Sequence, residues 1–248
     1  MNQPHLRSAL AAALAIGCAA MAAESADPAA LAGPNQLTDA EKNAGWRLLF
    51  DGRTTAGWRG VSRQEFPRRG WVVEGGCLKH LAKGGGGDIV TTEEFTDFEF
   101  AFEWRLGPSA NSGVKYLLRP GRGGVVGHEY QLWDQRNLDT ASHLGKGSTA
   151  GFYDVLAPGP HRPLRSPGEF NHSRIVVRGQ HVEHWLNDEK VLEYELGSEA
   201  VRAAVAASKF KGVAGFGTKT MTALLLQDHG GEAWFRNLKL RGQPARQE

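Results

Sequence analysis

DFEFAFEWRL, residues 97–106, alternates apolar and polar side chains almost without fault. Phe98, Phe100, Phe102 and Trp104 fall on one face, and Glu99, Ala101, Glu103 and Arg105 on the other. A period of two marks a half-buried strand, because successive Cβ atoms leave opposite sides of a pleated backbone. The same rhythm returns in SGVKYLLR (112–119), HEYQLWD (128–134), SRIVVRG (173–179), HVEHWLN (181–187), KVLEYEL (190–196), ALLLQDH (223–229) and AWFRNLKLRG (233–242). Gly179-Gln180 and Asn187-Asp188 separate neighbouring runs and read as two-residue hairpin turns. Thr38 and Glu41 form a capping box for one short helix closed at Gly45, and Ser198 caps a second that runs through Val201 and Val205 to Ser208. More than ten short strands with Gly-rich turns and one or two minor helices predict an all-β, two-sheet sandwich.

Composition agrees. Glycine accounts for 32 of 248 residues, roughly double the ~7% norm, which suits turns and disfavours long helices. With 29 Lys+Arg against 27 Asp+Glu, the chain has no basic footprint for nucleic acid or an anionic membrane surface, and no membrane-spanning run is expected in the mature chain. Residues 1–22 read as a signal peptide: Arg7, the apolar run Leu10 to Ile16, then Ala20-Met21-Ala22 as a cleavage site. The rival is a lipoprotein signal with Cys18 acylated. Either reading predicts an exported protein, periplasmic or extracellular, with lipid anchoring through Cys18 in the second case. Residues 23–36 read as a linker and 37–248 as one sandwich domain. The other cysteine, Cys77, reads as a small core residue, since one thiol makes no disulfide framework. The glycine run Gly84 to Gly87 has no following helix to bind phosphate and reads as a flexible turn.

No Walker loop, nucleophile elbow, HExxH or CxxC is present, so a site has to be assembled from several strands. In a jelly-roll sandwich the polar face of a concave sheet becomes the cleft. On the 128–134 run, Glu129, Gln131 and Trp133 share a face, offering an acid, an amide and a ring. Lys115 and Arg119 are expected to point alike on the neighbouring run. Gln227 and His229 share a face, with Asp228 opposed. His181 and His184 fall on opposite faces and make a poor metal pair, although His184 stays a candidate for binding. Glu129 and Asp134, five apart, diverge as well, so the paired carboxylates of an ordinary glycosidase are not apparent.

Taken together, GWRLLFDGRTTAGW (45–58), GWVVEGGCL (70–78), DFEFAFEWRLGPSANSGVKY (97–116), HEYQLWD (128–134), AGFYDV (150–155), HVEHWLNDEKVLEYE (181–195), SKFKG (208–212), LLQDHG (225–230) and WFRNLKL (234–240) resemble the 3-keto-disaccharide hydrolase family. Two stretches depart from it: RNLDTASHLG (136–145) and Phe170-Asn171, where relatives carry Trp-Asn. The resemblance implies a concanavalin A-like sandwich and a 3-keto-sugar or oligosaccharide substrate. A ketone at sugar carbon 3 acidifies the hydrogen on carbon 2. A base removes it, the carbon-1 substituent is expelled by elimination, and water adds back. Such chemistry needs a base, an electrophile near the ketone oxygen and an acid for the leaving oxygen. Glu129 and His229 are assigned the base and acid roles in either order, and Lys115 and Arg119 polarise the ketone. Asn111, Gln131, Gln227, Tyr153 and His184 hold hydroxyls, with Trp133 a stacking wall. No cofactor is required, but a divalent metal is an alternative electrophile, with Glu129, Asp134, Asp228 and His229 as its candidate ligands. The competing class is a non-catalytic, lectin-like module, which needs platforms and amides but no base.

Overall fold

A computed structural model describes Met1 and residues 33–121, 123–134 and 145–242. The expected signal peptide, most of the linker and the stretch 136–144 lie outside the described residues. In chain order the elements are helix α1 (Asp39–Asn43), then strands β1 (Trp46–Leu48), β2 (Trp58–Gly60), β3 (Trp71–Glu74), β4 (Cys77–His80) and β5 (Ile89–Thr91). Strands β6 (Phe98–Leu106), β7 (Asn111–Gly121), β8 (Gly124–Trp133), β9 (Asn171–Arg178), β10 (His181–Leu186) and β11 (Glu189–Glu195) follow. Helix α2 (Glu199–Ala206), β12 (Leu225–Leu226) and β13 (Ala233–Arg241) complete the order. The predicted all-β sandwich is what forms: an eight-stranded sheet ordered β11-β10-β9-β6-β13-β4-β3, with β1 also on β13, faces a five-stranded sheet ordered β2-β5-β12-β7-β8.

The alternation in 97–106 decides which side of β6 meets the second sheet. Phe98, Phe100, Phe102 and Trp104 are buried among the inner faces of both sheets, with Phe102 edge-on to Tyr130 of β8. The opposite face is more covered than an outer strand face would be. Glu99 is 3% exposed beneath Arg241, Arg174 and Arg178, and although burial raises its pKa, these guanidiniums hold the carboxyl below the usual range. Arg105 lies between the Trp234 and Phe170 rings.

Local chemistry places the turns and caps. Thr38 Oγ1 accepts the Glu41 N–H at 3.1 Å while Glu41 Oε2 accepts the Thr38 N–H at 2.8 Å. Asn187 and Asp188 take φ of 45° and 69°, two successive left-handed residues matching the right-handed twist of β10 and β11. Two expectations need correcting. Asn35, inside the stretch read as linker, is buried and exchanges hydrogen bonds with Asn237 and Gly76, so the packed chain starts earlier than residue 37. In the run Gly84 to Gly87, Gly84 and Gly86 are close-packed: a Cβ on Gly86 would stand 2.3 Å from the Arg69 carbonyl, and the Trp71 indole donates to the Gly87 carbonyl. Cys77 is buried, which pushes its thiol pKa up, as a core residue requires. No helix among the described residues is long and apolar enough to cross a membrane.

Candidate active site

The outer face of the five-stranded sheet carries a cleft of about 900 Å³. Its floor follows from register. Lys115 of β7 pairs with Glu129 of β8, Gly113 with Gln131, and Leu225 of β12 with Lys115 on the other side. Paired residues share a face, so Asn111, Gly113, Lys115, Gln131 and Glu129 rise together while Val114, Tyr116, Tyr130 and His128 enter the core. The Gln227 N–H continues the ladder to the Gly113 carbonyl at 2.9 Å. Tyr153 arrives on the free edge of β8, where its N–H donates to the Glu129 carbonyl at 3.0 Å. Seven of the expected residues therefore line one cleft: Glu129, His229, Lys115, Asn111, Gln131, Gln227 and Tyr153.

Glu129 is the one carboxylate among the described residues that line the cleft. It is 6% exposed, and burial pushes its pKa up to about 7 despite the nearby ammonium groups of Lys115 and Lys209. Lys115 Nζ lies 3.9 Å from Glu129 Oε2 and 3.6 Å from Asp88 Oδ2. A carboxyl poised near neutrality is suited to both taking and returning a proton at physiological pH. Around it, the side-chain oxygens of Asn111, Gln131 and Gln227 are buried with no hydrogen-bond partner among the described residues. Unpaired buried acceptors cost free energy, and donors on a bound ligand, such as hydroxyls, satisfy them.

Five expected residues lie elsewhere. Between Tyr116 and Arg119 the register shifts, and Leu117 turns to φ 49° and is fully buried, so the parity joining Lys115 to Arg119 is lost. Arg119 bonds instead to Thr218 and the Lys219 carbonyl. Trp133 and Asp134 border a separate cleft with Leu164 and Arg165, and Asp134 accepts the Ser109 N–H at 2.6 Å. Asp228 turns towards β4, where it accepts the N–H groups of Gly87 and Gly230 and lies 2.8 Å from His80. Burial opposes its charge, yet those N–H donors and His80 hold its carboxyl below the usual range. The four metal candidates do not converge, as only Glu129 and His229 share the cleft.

His184 is a core residue. The Gly217 N–H donates to His128 Nε2 at 3.2 Å, which puts the His128 proton on Nδ1, facing Tyr194 at 2.9 Å. Tyr194 donates to Tyr116 at 2.9 Å, Tyr116 to His184 Nε2 at 2.6 Å, and His184 Nδ1 to the Ala150 carbonyl at 2.8 Å. A backbone donor at one end and a backbone acceptor at the other fix the direction of every link. Burial is the main cause pushing His128 down to about 3 and His184 down to about 4. An unfolded histidine titrates near 6.5, so the folded chain binds fewer protons below that pH. The stability these two histidines contribute is therefore complete above pH 6.5 and lost as pH falls towards their folded values. At pH 5 the loss is roughly 2 kcal/mol for each. Measured on Glu129→Gln, which removes the opposing titration of that buried carboxyl, urea midpoints should drop between pH 7 and pH 5, and an unchanged midpoint would contradict this assignment.

Two residues were hidden from sequence reasoning. Lys209 lines the cleft, its ammonium 4.1 Å from the Tyr153 ring centroid and its N–H bonded to Asp154 Oδ2 at 2.7 Å. Asp88 holds Lys115 and accepts the Asp228 N–H at 2.9 Å. The SKFKG segment was visible as a motif, but it is a loop without periodicity, so nothing in it announced which side chain faces the cleft.

Comparison with known proteins agrees with this architecture. A family model described as a 3-keto-alpha-glucoside-1,2-lyase-like domain matches residues 45–241. A Bacteroides thetaiotaomicron protein named 3-keto-disaccharide hydrolase is 31% identical over 229 residues, covering 79% of this chain and 78% of its own. A crystal structure of a candidate glycosyl hydrolase from Parabacteroides distasonis superposes with a TM-score of 0.73 at 29% identity, over 85% of this chain and 100% of that one. A second from the same organism, at 23% identity and TM-score 0.61, shares the fold over 80% of this chain and 99% of its own. The chain thus belongs to the 3-keto-alpha-glucoside-1,2-lyase-like domain family.

Proposed function

We propose that this protein cleaves glycosides already oxidised at carbon 3 of the sugar, by elimination followed by hydration. The observation that carries the reading is Glu129: one buried carboxyl with its pKa pushed up to about 7, on a cleft floor beside Lys115 and three unpaired amide oxygens. Glu129 takes the proton from carbon 2. The electron pair forms the carbon 1–carbon 2 double bond and expels the aglycone oxygen, which leaves with a proton. Water then adds its oxygen to carbon 1 and a proton returns to carbon 2, giving the 3-keto sugar and a free alcohol. Lys115 carries the charge that develops on the ketone oxygen as carbon 2 loses its proton. Lys209, on the Tyr153 side of Glu129, bonds the departing oxygen. The amides and His229 hold the glycone hydroxyls.

This modifies the expected pairing of Glu129 with His229. The ladder places Gln227 beside Gly113, and Gly231 packs against Ala110 and Asn111, so His229 belongs to the Asn111 end of the cleft. The Glu129 carboxyl leans that way, over Gly113, so His229 is assigned to the glycone side, and Lys209, whose charge is felt at Glu129, to the Tyr153 side. A proton donor for the leaving oxygen is better sought at Lys209. Trp133 is absent from the cleft lining, whose rings are Tyr153 and Phe210. What favours catalysis over binding alone is the buried carboxyl of Glu129 near two lysines, which a lectin does not need. The leader read at residues 1–22 places the activity outside the cytoplasm in the same proposal.

Purified protein incubated with 3-keto-trehalose and with trehalose tests the reading. Release of 3-keto-glucose from the oxidised sugar alone is expected. Tight binding of either sugar without cleavage would move the assignment to a lectin-like module.

A further inference from the structure

The cleft changes character along its length. From Glu129 towards the β7–β8 turn, the lining passes from amides and charges to Pro120, Gly121, Val126, Val213 and Ala214. Register fixes the order on the floor: Lys115 opposes Glu129, and beyond the bulge Arg119 opposes Val126 and Pro120 opposes Val125. Val126 is three residues from Glu129, roughly 10 Å at ~3.3 Å per strand residue, and falls on the His128 side of β8, where it packs against the core while also lining the cleft. Its isopropyl group lies over Gly121, where a Cβ would stand 2.7 Å from Val126 Cγ1, so the absence of a side chain there keeps the patch flat.

The facing wall runs in the same sense. Lys209 is tied to Asp154 beside Glu129, whereas Gly215 packs on the Arg119 guanidinium, with a Cβ there 2.9 Å from Arg119 Nη1. Val213 and Ala214 therefore stand across from Val126 and Pro120. The Arg119 guanidinium does not line the cleft: it lies behind this end, bonded to Thr218 and the Lys219 carbonyl. A second sugar ring needs hydroxyl partners, and apart from the exposed Lys211 the described residues at this end of the lining offer aliphatic groups and glycines instead.

We infer that the end of the cleft built by Pro120, Gly121, Val126, Val213 and Ala214 is a subsite for an apolar aglycone, so that the preferred substrates are 3-keto-glucosides of apolar alcohols. The inference rests on the reaction proposed above, with Lys209 at the oxygen joining the sugar to that aglycone. Hexyl and methyl 3-keto-α-glucosides test it, because their leaving oxygens are chemically alike and differ in chain length alone. The hexyl compound should show a kcat/KM about tenfold or more higher, the effect of burying two or three methylenes. Val213→Asp should bring the ratio of the two substrates close to one, and Ala214→Asp, on an exposed loop position, should do the same if the first variant folds poorly. Equal kcat/KM for both substrates in the unmodified protein, or a ratio untouched by both substitutions, would overturn the subsite. Should neither compound be cleaved, calorimetry separates the two ideas. Tighter binding of the hexyl compound keeps the subsite and removes the reaction, and equal binding removes the subsite as well.

Discussion

Replacing Glu129 by Gln should lower kcat by about 10²–10⁴-fold on a 3-keto-glucoside and, at the same time, make the protein more stable at alkaline pH. Both effects come from the same burial. The carboxylate titrates near 4.5 when exposed and near 7 in the fold, so the folded state binds the extra proton. A raised carboxyl pKa contributes its full stability below the unfolded value, and that contribution is lost as pH rises through 7. At pH 8 the ionised Glu129 costs roughly 2–3 kcal/mol, and a neutral amide of the same shape removes that cost. At pH 5 the two proteins should unfold at similar urea concentrations, and at pH 8 the variant should unfold later. A variant that is inactive but also less stable at pH 8 would show Glu129 to be a structural ion-pair partner of Lys115 instead of a proton carrier.

Gly113→Ala should lower kcat/KM by about 10²-fold while leaving the sheet intact. Gly113 does not sit in the left-handed region, so its backbone accepts alanine. The obstacle is space: a Cβ there would stand 2.7 Å from Glu129 Oε1, 2.9 Å from its Cγ and 3.0 Å from its Cδ. β8 on one side and the Gln227 N–H on the other hold the Gly113 backbone in place. Relief must therefore come from the Glu129 side chain, which swings off the floor. Activity near that of the unmodified protein, at an unchanged urea midpoint, would show that Glu129 does not need its present orientation.

What could be read in advance followed strand parity, and what could not broke it. The faces of 97–106, the hairpins at 179–180 and 187–188, and the common face of Glu129 and Gln131 all rest on uninterrupted alternation. Arg119 failed because a single left-handed residue, Leu117, inserts a bulge that no residue type in SGVKYLLR marks. In the 223–229 run Gln227 and His229 line the cleft while Asp228, on the opposed side, turns towards His80, which removes it from the metal candidates. His184 satisfies parity, yet its face points inward, where a tyrosine–histidine chain supplies every partner that a sugar might have supplied. Lys209 and Asp88 reach the site through tertiary packing of loops, for which a sequence has no period to show. Glu99 illustrates the reverse case: alternation set its face correctly, but the covering arginines come from β9 and β13, far away in the chain.

The most direct test of the account is cleavage of a 3-keto-glucoside in deuterated water, with the hydrogen at carbon 2 of the released 3-keto-glucose followed by NMR at early times against an enzyme-free control of the same product. Elimination through Glu129 predicts deuterium at carbon 2 in step with turnover, because that carbon loses its proton and regains one from solvent. Cleavage that leaves the original hydrogen on carbon 2, together with no slowing when the substrate carries deuterium there, would mean direct displacement at carbon 1 and would contradict the account.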